Sequence, residues 1–512
     1  MRQVNRWSSV FGVAMLLLGA AFVSFPGGAV LADTSFSQIG ADIDGEAASD
    51  LSGRSVAMSA DGSRVAIGAV GNDGNGSDSG QVRVYTLVNG VWTQTGADID
   101  GEAAGDASGW SVAMSANGSR VAIGARSNDG NGSGSGQVRV YTLDNGVWMQ
   151  TGVDIDGEAA GDGSGYSVAM SADGSRVAIG AVSNDGNGSN SGQVRVYTLV
   201  NGVWTQTGAD IDGEAAEDWS GWSVAMSANG SRVAIGSRFN GGNGIGSGQV
   251  RVYTLVNGVW TQTGADIDGE AAGDASGQSV AMSADGSRVA IGAVYNGPAS
   301  VGGGGPGSSA GQVRVYTLVN GVWTQMGADI DGEGATDNAG GSVALSADGS
   351  RVAIGAINND GGGGFGVYRG QVRVFTFTNG VWTQTGADID GEASLGSFGG
   401  SVALSADGSR VAIGAVNNGG SNAGQVQVYE GVELTTTTTI APATTTIASV
   451  TTTVALATTT VAPPTTTVAP ATTVVSPSVL PETGSQSDGW LIVGIFALIL
   501  GTVLVTRRRK IG

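Results

Sequence analysis

The tripeptide Ser-Val-Ala recurs seven times, starting at Ser55, Ser111, Ser167, Ser223, Ser279, Ser342 and Ser401. Successive starts lie 56 residues apart four times, then 63 and 59. A repeat of this length points to an array of like modules, none of which buries its apolar face alone. Within one unit, β-rich runs cover 111–115, 120–125, 137–143 and 147–155, separated by turn residues. Ala116-Asn117-Gly118-Ser119 predicts a tight hairpin between the first two runs, because Asn-Gly accepts positive φ. The first run is small and apolar on both faces, as expected of strands that converge on an axis and are covered on both sides. Four strands in each of seven units predict an all-β, seven-bladed β-propeller over residues 33–434. An open solenoid of the same units is the competing architecture.

The ends favour closure. The seventh unit has runs at Ser401, Arg410 and 425–429 but lacks a fourth. Residues 36–43, Phe-Ser-Gln-Ile-Gly-Ala-Asp-Ile, align with residues 92–99, Trp-Thr-Gln-Thr-Gly-Ala-Asp-Ile. The N-terminal segment is therefore expected to supply the outer strand of the last blade, which leaves no free sheet edge.

Phe398-Gly399-Gly400-Ser401-Val402-Ala403 and Ile413-Gly414-Ala415 resemble the Phe-Gly start and Gly-Ala-Pro end of the FG-GAP repeats of integrin-type propellers. The resemblance implies the same fold. Five units carry Ser in the Phe position: Ser52, Ser108, Ser164, Ser220 and Ser276. Where that family has a calcium loop between first and second strands, this chain has the short turn Ser59-Ala60-Asp61-Gly62-Ser63.

Outside the repeats the chain reads as an exported precursor. Arg2 and Arg6 precede an apolar run, and Val30-Leu31-Ala32 offers a cleavage site between Ala32 and Asp33, so residues 1–32 read as a signal peptide. Residues 435–479 are rich in Thr, Ala, Val and Pro and read as a low-complexity stalk reaching about 140 Å when extended. Leu480-Pro481-Glu482-Thr483-Gly484 then precedes an apolar segment, 490–506, and a basic tail, 507–512. That order resembles the cell-wall sorting signal of Gram-positive surface proteins. The resemblance implies cleavage by a sortase between Thr483 and Gly484 and covalent linkage of Thr483 to peptidoglycan. The apolar segment would hold the precursor in the membrane with its tail cytoplasmic. A plain single-pass anchor is the alternative.

Composition excludes several chemistries. The chain has no Cys and no His, so disulfides, thiol nucleophiles and the commonest general base are absent. Its one Lys is Lys510. A net charge of -21 disfavours nucleic acid. It also makes a neutral glycan or a protein surface the expected partner.

Two sets of residues are candidates for function. Asp98, Asp100, Glu102, Asn128 and Asp129 fall in two loops on the same rim, where clustered hard oxygens suit calcium. The alternative is that Asp, Asn and Gly simply make the turns. The second set breaks the repeat. The residue before Ser-Val-Ala is Arg54, Trp110, Tyr166, Trp222, Gln278, Gly341 or Gly400, and Arg126, Arg238, Phe239 and Tyr295 vary at the ends of second strands. Trp219 is another local departure. Varied aromatic and Arg side chains on a constant scaffold suit recognition, although drift at weakly constrained loops would give the same pattern. Trp92 recurs in every full unit and is expected in the core. Function is expected to be non-enzymatic: an adhesin-like surface protein that binds an extracellular glycan or protein. A glycan-active enzyme and a structural coat spacer are the alternatives.

Overall fold

The computed structural model describes residues 34–297, 309–360, 368–418 and 422–433. The signal peptide with its Ala32–Asp33 site, the stalk, the sorting pentapeptide, the apolar segment and the basic tail lie outside the described residues. Among the described residues there is no helix, so none is long and apolar enough to cross a membrane.

Seven sheets form, one per repeat. The second blade runs Ser111–Met114, Arg120–Ala125, Gln137–Asp144 and Val147–Gln150, each strand antiparallel to the one before. The outer strand is shorter than the sequence predicts. It breaks after Gln150, and the chain rejoins the third strand as the two-residue strand Ile155–Asp156. In the six other blades the first strand starts three residues before Ser-Val-Ala, as at Ser164–Met170.

The ring closes as expected. Thr34–Gln38 pairs antiparallel with Gln425–Glu433, in the register Thr34 to Glu433, and Ile43–Asp44 pairs with the start of the same strand. The last blade is thus built from both ends of the propeller.

First strands touch one another around the whole ring and so lie innermost. Glycine permits the approach: a Cβ on Gly124 would lie 2.2 Å from the carbonyl oxygen of Gly165 in the next blade. Three series of hydrogen bonds fix the spacing. The hydroxyl of Ser111 donates to the Gly165 carbonyl at 2.8 Å, and the series returns to its start when Ser401 donates to Gly53 at 2.8 Å. The amide of Ala60 donates to Ala116 and that of Ala116 to Ala172, each at 2.8 Å, and so on around the ring. Farther out, the indole of Trp204 donates to the Thr151 carbonyl of the preceding blade at 2.7 Å. Trp92 does the same to Ile39, at 2.8 Å, and is buried as expected.

The core is divided among the blade interfaces. Seven clusters of buried residues occur, each uniting strands of two neighbouring blades; Val138, Val140 and Ile155 meet Val177, Ile179 and Trp204. Neither blade face is solvated, which is why second strands such as Arg176–Ala181 are buried along nearly their whole length.

The two rims differ in loop length. One carries the short first-to-second turns and the Asn-Gly turns between third and fourth strands. Asn201 at φ 51° and Gly202 at 82° make the primed turn that suits a two-residue hairpin. Asn117 keeps negative φ, unlike the expectation for Ala116–Ser119; only Gly118 is positive, at 67°. The Asn117 side chain builds that turn instead, accepting from Ser115 and Ser119. The opposite rim carries the long second-to-third loops and the connections between blades.

Candidate ligand-binding site

The residue before each Ser-Val-Ala emerges from a β-bulge at the long-loop rim. In the second blade the amides of Gly109 and Trp110 both donate to the Gly124 carbonyl, at 3.1 Å each. In the third, the register slips between Ser164 and Ser167, leaving Gly165 and Tyr166 extra. Gly165 holds φ at 86°, and a Cβ there would sit 2.5 Å from the Gln137 carbonyl oxygen. A bulge re-aims the side chain that follows. Because first strands are innermost, these side chains gather about the axis.

They form a continuous arc across five blades. Trp110 and Tyr166 have ring centroids 5.6 Å apart, Tyr166 and Trp222 4.7 Å, and Trp222 and Phe239 6.3 Å. Trp219 packs against Trp222 and Phe239 at 5.7 and 5.1 Å. Arginines lie on these rings. Arg54 and Arg126 sit 4.0 and 3.5 Å from the Trp110 ring centre, and Arg238 sits 4.4 Å from Trp222, 4.6 Å from Phe239 and 5.8 Å from Tyr295. Trp110, Tyr166, Trp222, Phe239, Tyr295, Arg126 and Arg238 are therefore brought together, with Arg54 and Trp219 packed beside them and Gln278 at the equivalent bulge of the fifth blade. Beyond Gln278 the arc ends, because the sixth and seventh blades present Gly341 and Gly400.

The arc is half-open to solvent. Trp110, Tyr166 and Trp222 are partly buried, whereas Phe239 is 40% exposed and Tyr295 43%. Trp219 adopts φ 55°, unusual for a bulky residue but shared by Ala107 at 54° and Ala275 at 55° in the equivalent loops.

The arginines of the arc stand apart from those of the scaffold. Arg139 donates to the Asp100 carbonyl at 2.7 Å and pairs with Glu102 at 3.8 Å, an arrangement found at six of the blade junctions. Arg120 donates to Gly174 of the next blade at 3.1 Å. The side chains of Arg54, Arg126 and Arg238 make no hydrogen bond or ion pair with the described residues, and the Nε atoms of Arg126 and Arg238 are buried without an acceptor, a state shared outside the arc by Arg369. The Gln278 Oε1 atom is likewise buried without a donor. Burial holds Arg54 below its ordinary pKa, with Tyr166 opposing and the nearby Arg126 charge adding to the shift. Burial also lowers Arg126, against the influence of Tyr166. The Tyr166 phenol is raised by burial although Arg54, Arg126 and Arg238 all favour its ionised form.

Four of the five residues considered for calcium have side chains engaged with the protein itself. Asp98 accepts from the Gln94 amide at 2.6 Å, and Glu102 pairs with Arg139. Asn128 accepts from the Gly130 amide at 2.8 Å and donates to Asp106 at 3.1 Å. Asp129 accepts from the Gly134 amide at 2.7 Å. Burial, then the charges of Asp98 and Glu46, raise the Asp100 carboxyl. Among the described residues no group of three or more acidic side chains is placed to hold a metal ion.

Residues 42–85 match the model of the FG-GAP repeat. No curated protein matches the sequence. Among solved structures, one similar chain is a Bacteroides uniformis protein provisionally assigned as a 6-phosphogluconolactonase. It is 14% identical, with a TM-score of 0.46, and the alignment covers 67% of this chain and 87% of that one.

Proposed function

We propose that this protein is a sortase-anchored cell-wall surface protein whose propeller binds an extracellular ligand at its long-loop rim. One observation carries the binding part: the arc from Arg54 to Tyr295, in which three arginine side chains have no hydrogen-bond or ion-pair partner, whereas the arginines repeated from blade to blade, such as Arg120 and Arg139, are paired. Leaving the buried Nε atoms of Arg126 and Arg238 without acceptors costs stability, and a scaffold that places Val at the equivalent positions, as Val182 and Val294 show, has no structural need for these two arginines.

The anchoring part rests on the sequence, where Leu480–Gly484, the apolar segment 490–506 and the basic tail follow in order. The fold is compatible with it. Third strands start at the long-loop rim and end at the short-turn rim, so Glu433, the last residue of Gln425–Glu433, lies on the face opposite the arc. A chain held from that end would present the arc outward. A binding role is favoured over catalysis because the carboxylates recur from blade to blade, so no single acid pair stands out from the ring.

The test is binding of the purified full-length protein to glycan and protein arrays. A saturable ligand whose binding falls with Trp222→Ala supports the reading. Turnover of a polysaccharide, or no ligand on either array, overturns it.

A further inference from the structure

Taking the rim as a binding site, we infer that its ligand is a carbohydrate ending in a carboxylated sugar, held by the unpaired arginines of the arc.

Three features specify this chemistry. The first is charge. The side chains of Arg54, Arg126 and Arg238 have no acceptor, and they flank one stretch of the arc: Arg54 and Arg126 lie 4.0 and 3.5 Å from the Trp110 ring centre, Arg126 lies 5.7 Å from that of Tyr166, and Arg238 lies 4.4 Å from that of Trp222, whose ring is 4.7 Å from Tyr166. A guanidinium presents a planar fork of donors that matches a carboxylate, and a desolvated one gains most from such a pair. Stacking on Trp110 and Trp222 fixes the direction of the fork before a ligand arrives.

The second is an acceptor in the same ring of positions. Gln278 follows Trp222 by one blade, and its Oε1 atom is buried without a donor. It asks for a hydroxyl. A ligand that carries both a carboxylate and hydroxyl groups satisfies the whole set, which a simple carboxylate does not. Phe239 and Tyr295, the exposed aromatic faces at that end of the arc, suit the apolar face of a pyranose ring.

The third feature limits the ligand's charge. The outer loops of the same rim carry exposed Asp73, Asp78, Asp129, Asp185 and Glu217, and the whole chain carries -21. A polyanion meets repulsion along most of its length, whereas a neutral chain with a single terminal carboxylate meets only the arginines. Net charge alone points to a neutral ligand; the local arrangement changes that expectation at one position.

The test uses the full-length protein against immobilised oligosaccharides that share one neutral stem and end in glucuronate, sialic acid or glucose. Either acidic terminus should bind at least tenfold tighter than the glucose terminus, and the better of the two identifies the sugar. Arg126→Gln with Arg238→Gln should abolish the difference. Gln278→Glu, which leaves the arginines in place but sets a like charge beside the ligand, should weaken acidic termini at least fivefold if the double variant fails to fold. Equal binding of all three termini, or competition by an acidic peptide with no acidic-sugar preference, overturns the inference while leaving the rim as a binding site. Absence of binding to every probe and to the protein array removes the binding reading itself.

Discussion

The amide of Ala406 in the last blade donates to the carbonyl oxygen of Ala60 in the first, at 2.8 Å. That bond completes a cycle of seven equivalent bonds among the short turns, so the final join repeats the geometry of the others. The ring is closed twice over, because the sheet of the last blade also takes its outer strand from Thr34–Gln38. The two closures depend on different residues and separate experimentally.

Removing residues 34–44 should destabilise the propeller severely. It exposes the outer edge of Gln425–Glu433 and strips Ile43, 4% exposed, from the interface between last and first blades. Each buried aliphatic lost is worth about 1.5–3 kcal/mol. Chemical denaturation of intact and truncated proteins is the measurement, and equal midpoints would refute the closure.

Trp204→Phe should cost about 1 kcal/mol, the value of its lost bond to Thr151, and Trp204→Ala about 3–5 kcal/mol through the cavity between blades. Gly152→Ala should also destabilise, because its φ is 78° and a Cβ would lie 2.7 Å from the Trp204 ring. The three variants leave the arc untouched, so ligand binding per folded molecule should not change.

Alkaline stability has a defined sign. Burial, with Glu392 and Asp42 adding, pushes the Tyr429 phenol up to about 12. Gln427 stands where the other blades have Arg, so no cation offsets the shift. Between about pH 10, where an unfolded tyrosine ionises, and about 12, the folded state holds a proton that the unfolded state has lost. Its contribution is whole below pH 10 and declines as pH rises through that window. Tyr429→Phe should make the loss of stability from pH 10 to 12 shallower. A denaturation series across that range checks it, and an identical slope would count against the assignment.

Thr483→Ala should prevent wall linkage if the C-terminal motif is a sorting signal. The readout is release by muramidase, with a peptidoglycan-linked ladder from the parent and none from the variant.

The propeller was legible because the repeat is nearly invariant and each of its fixed residues does the same work in every blade. Ser-Val-Ala recurs because the hydroxyl spans to the next blade and the small side chains fit where first strands converge. The N-terminal strand was legible from one alignment, Phe36–Ile43 against Trp92–Ile99. The split of the outer strand was not, since Thr151-Gly152-Val153-Asp154 reads as continuous with Gln150 until the Trp204 indole is seen to claim the Thr151 carbonyl. At the rim, variation marked the right positions but could not show contact. Arg54 and Gln278 look alike as departures from a repeat. Only placement reveals that one stacks on Trp110 while the other buries an unpaired oxygen.

The strand Gln425–Glu433 has a mechanical consequence. It is hydrogen-bonded along one edge to Arg410–Ala415 and along the other to Thr34–Gln38 and Ile43–Asp44. Its C-terminal end points away from the arginine–aromatic rim. If a ligand holds that rim and a tether pulls beyond Glu433, the tension would act along the strand axis. Both rows of hydrogen bonds would be loaded together in shear instead of being peeled one at a time, and the N-terminal strand becomes the clamp that resists extraction.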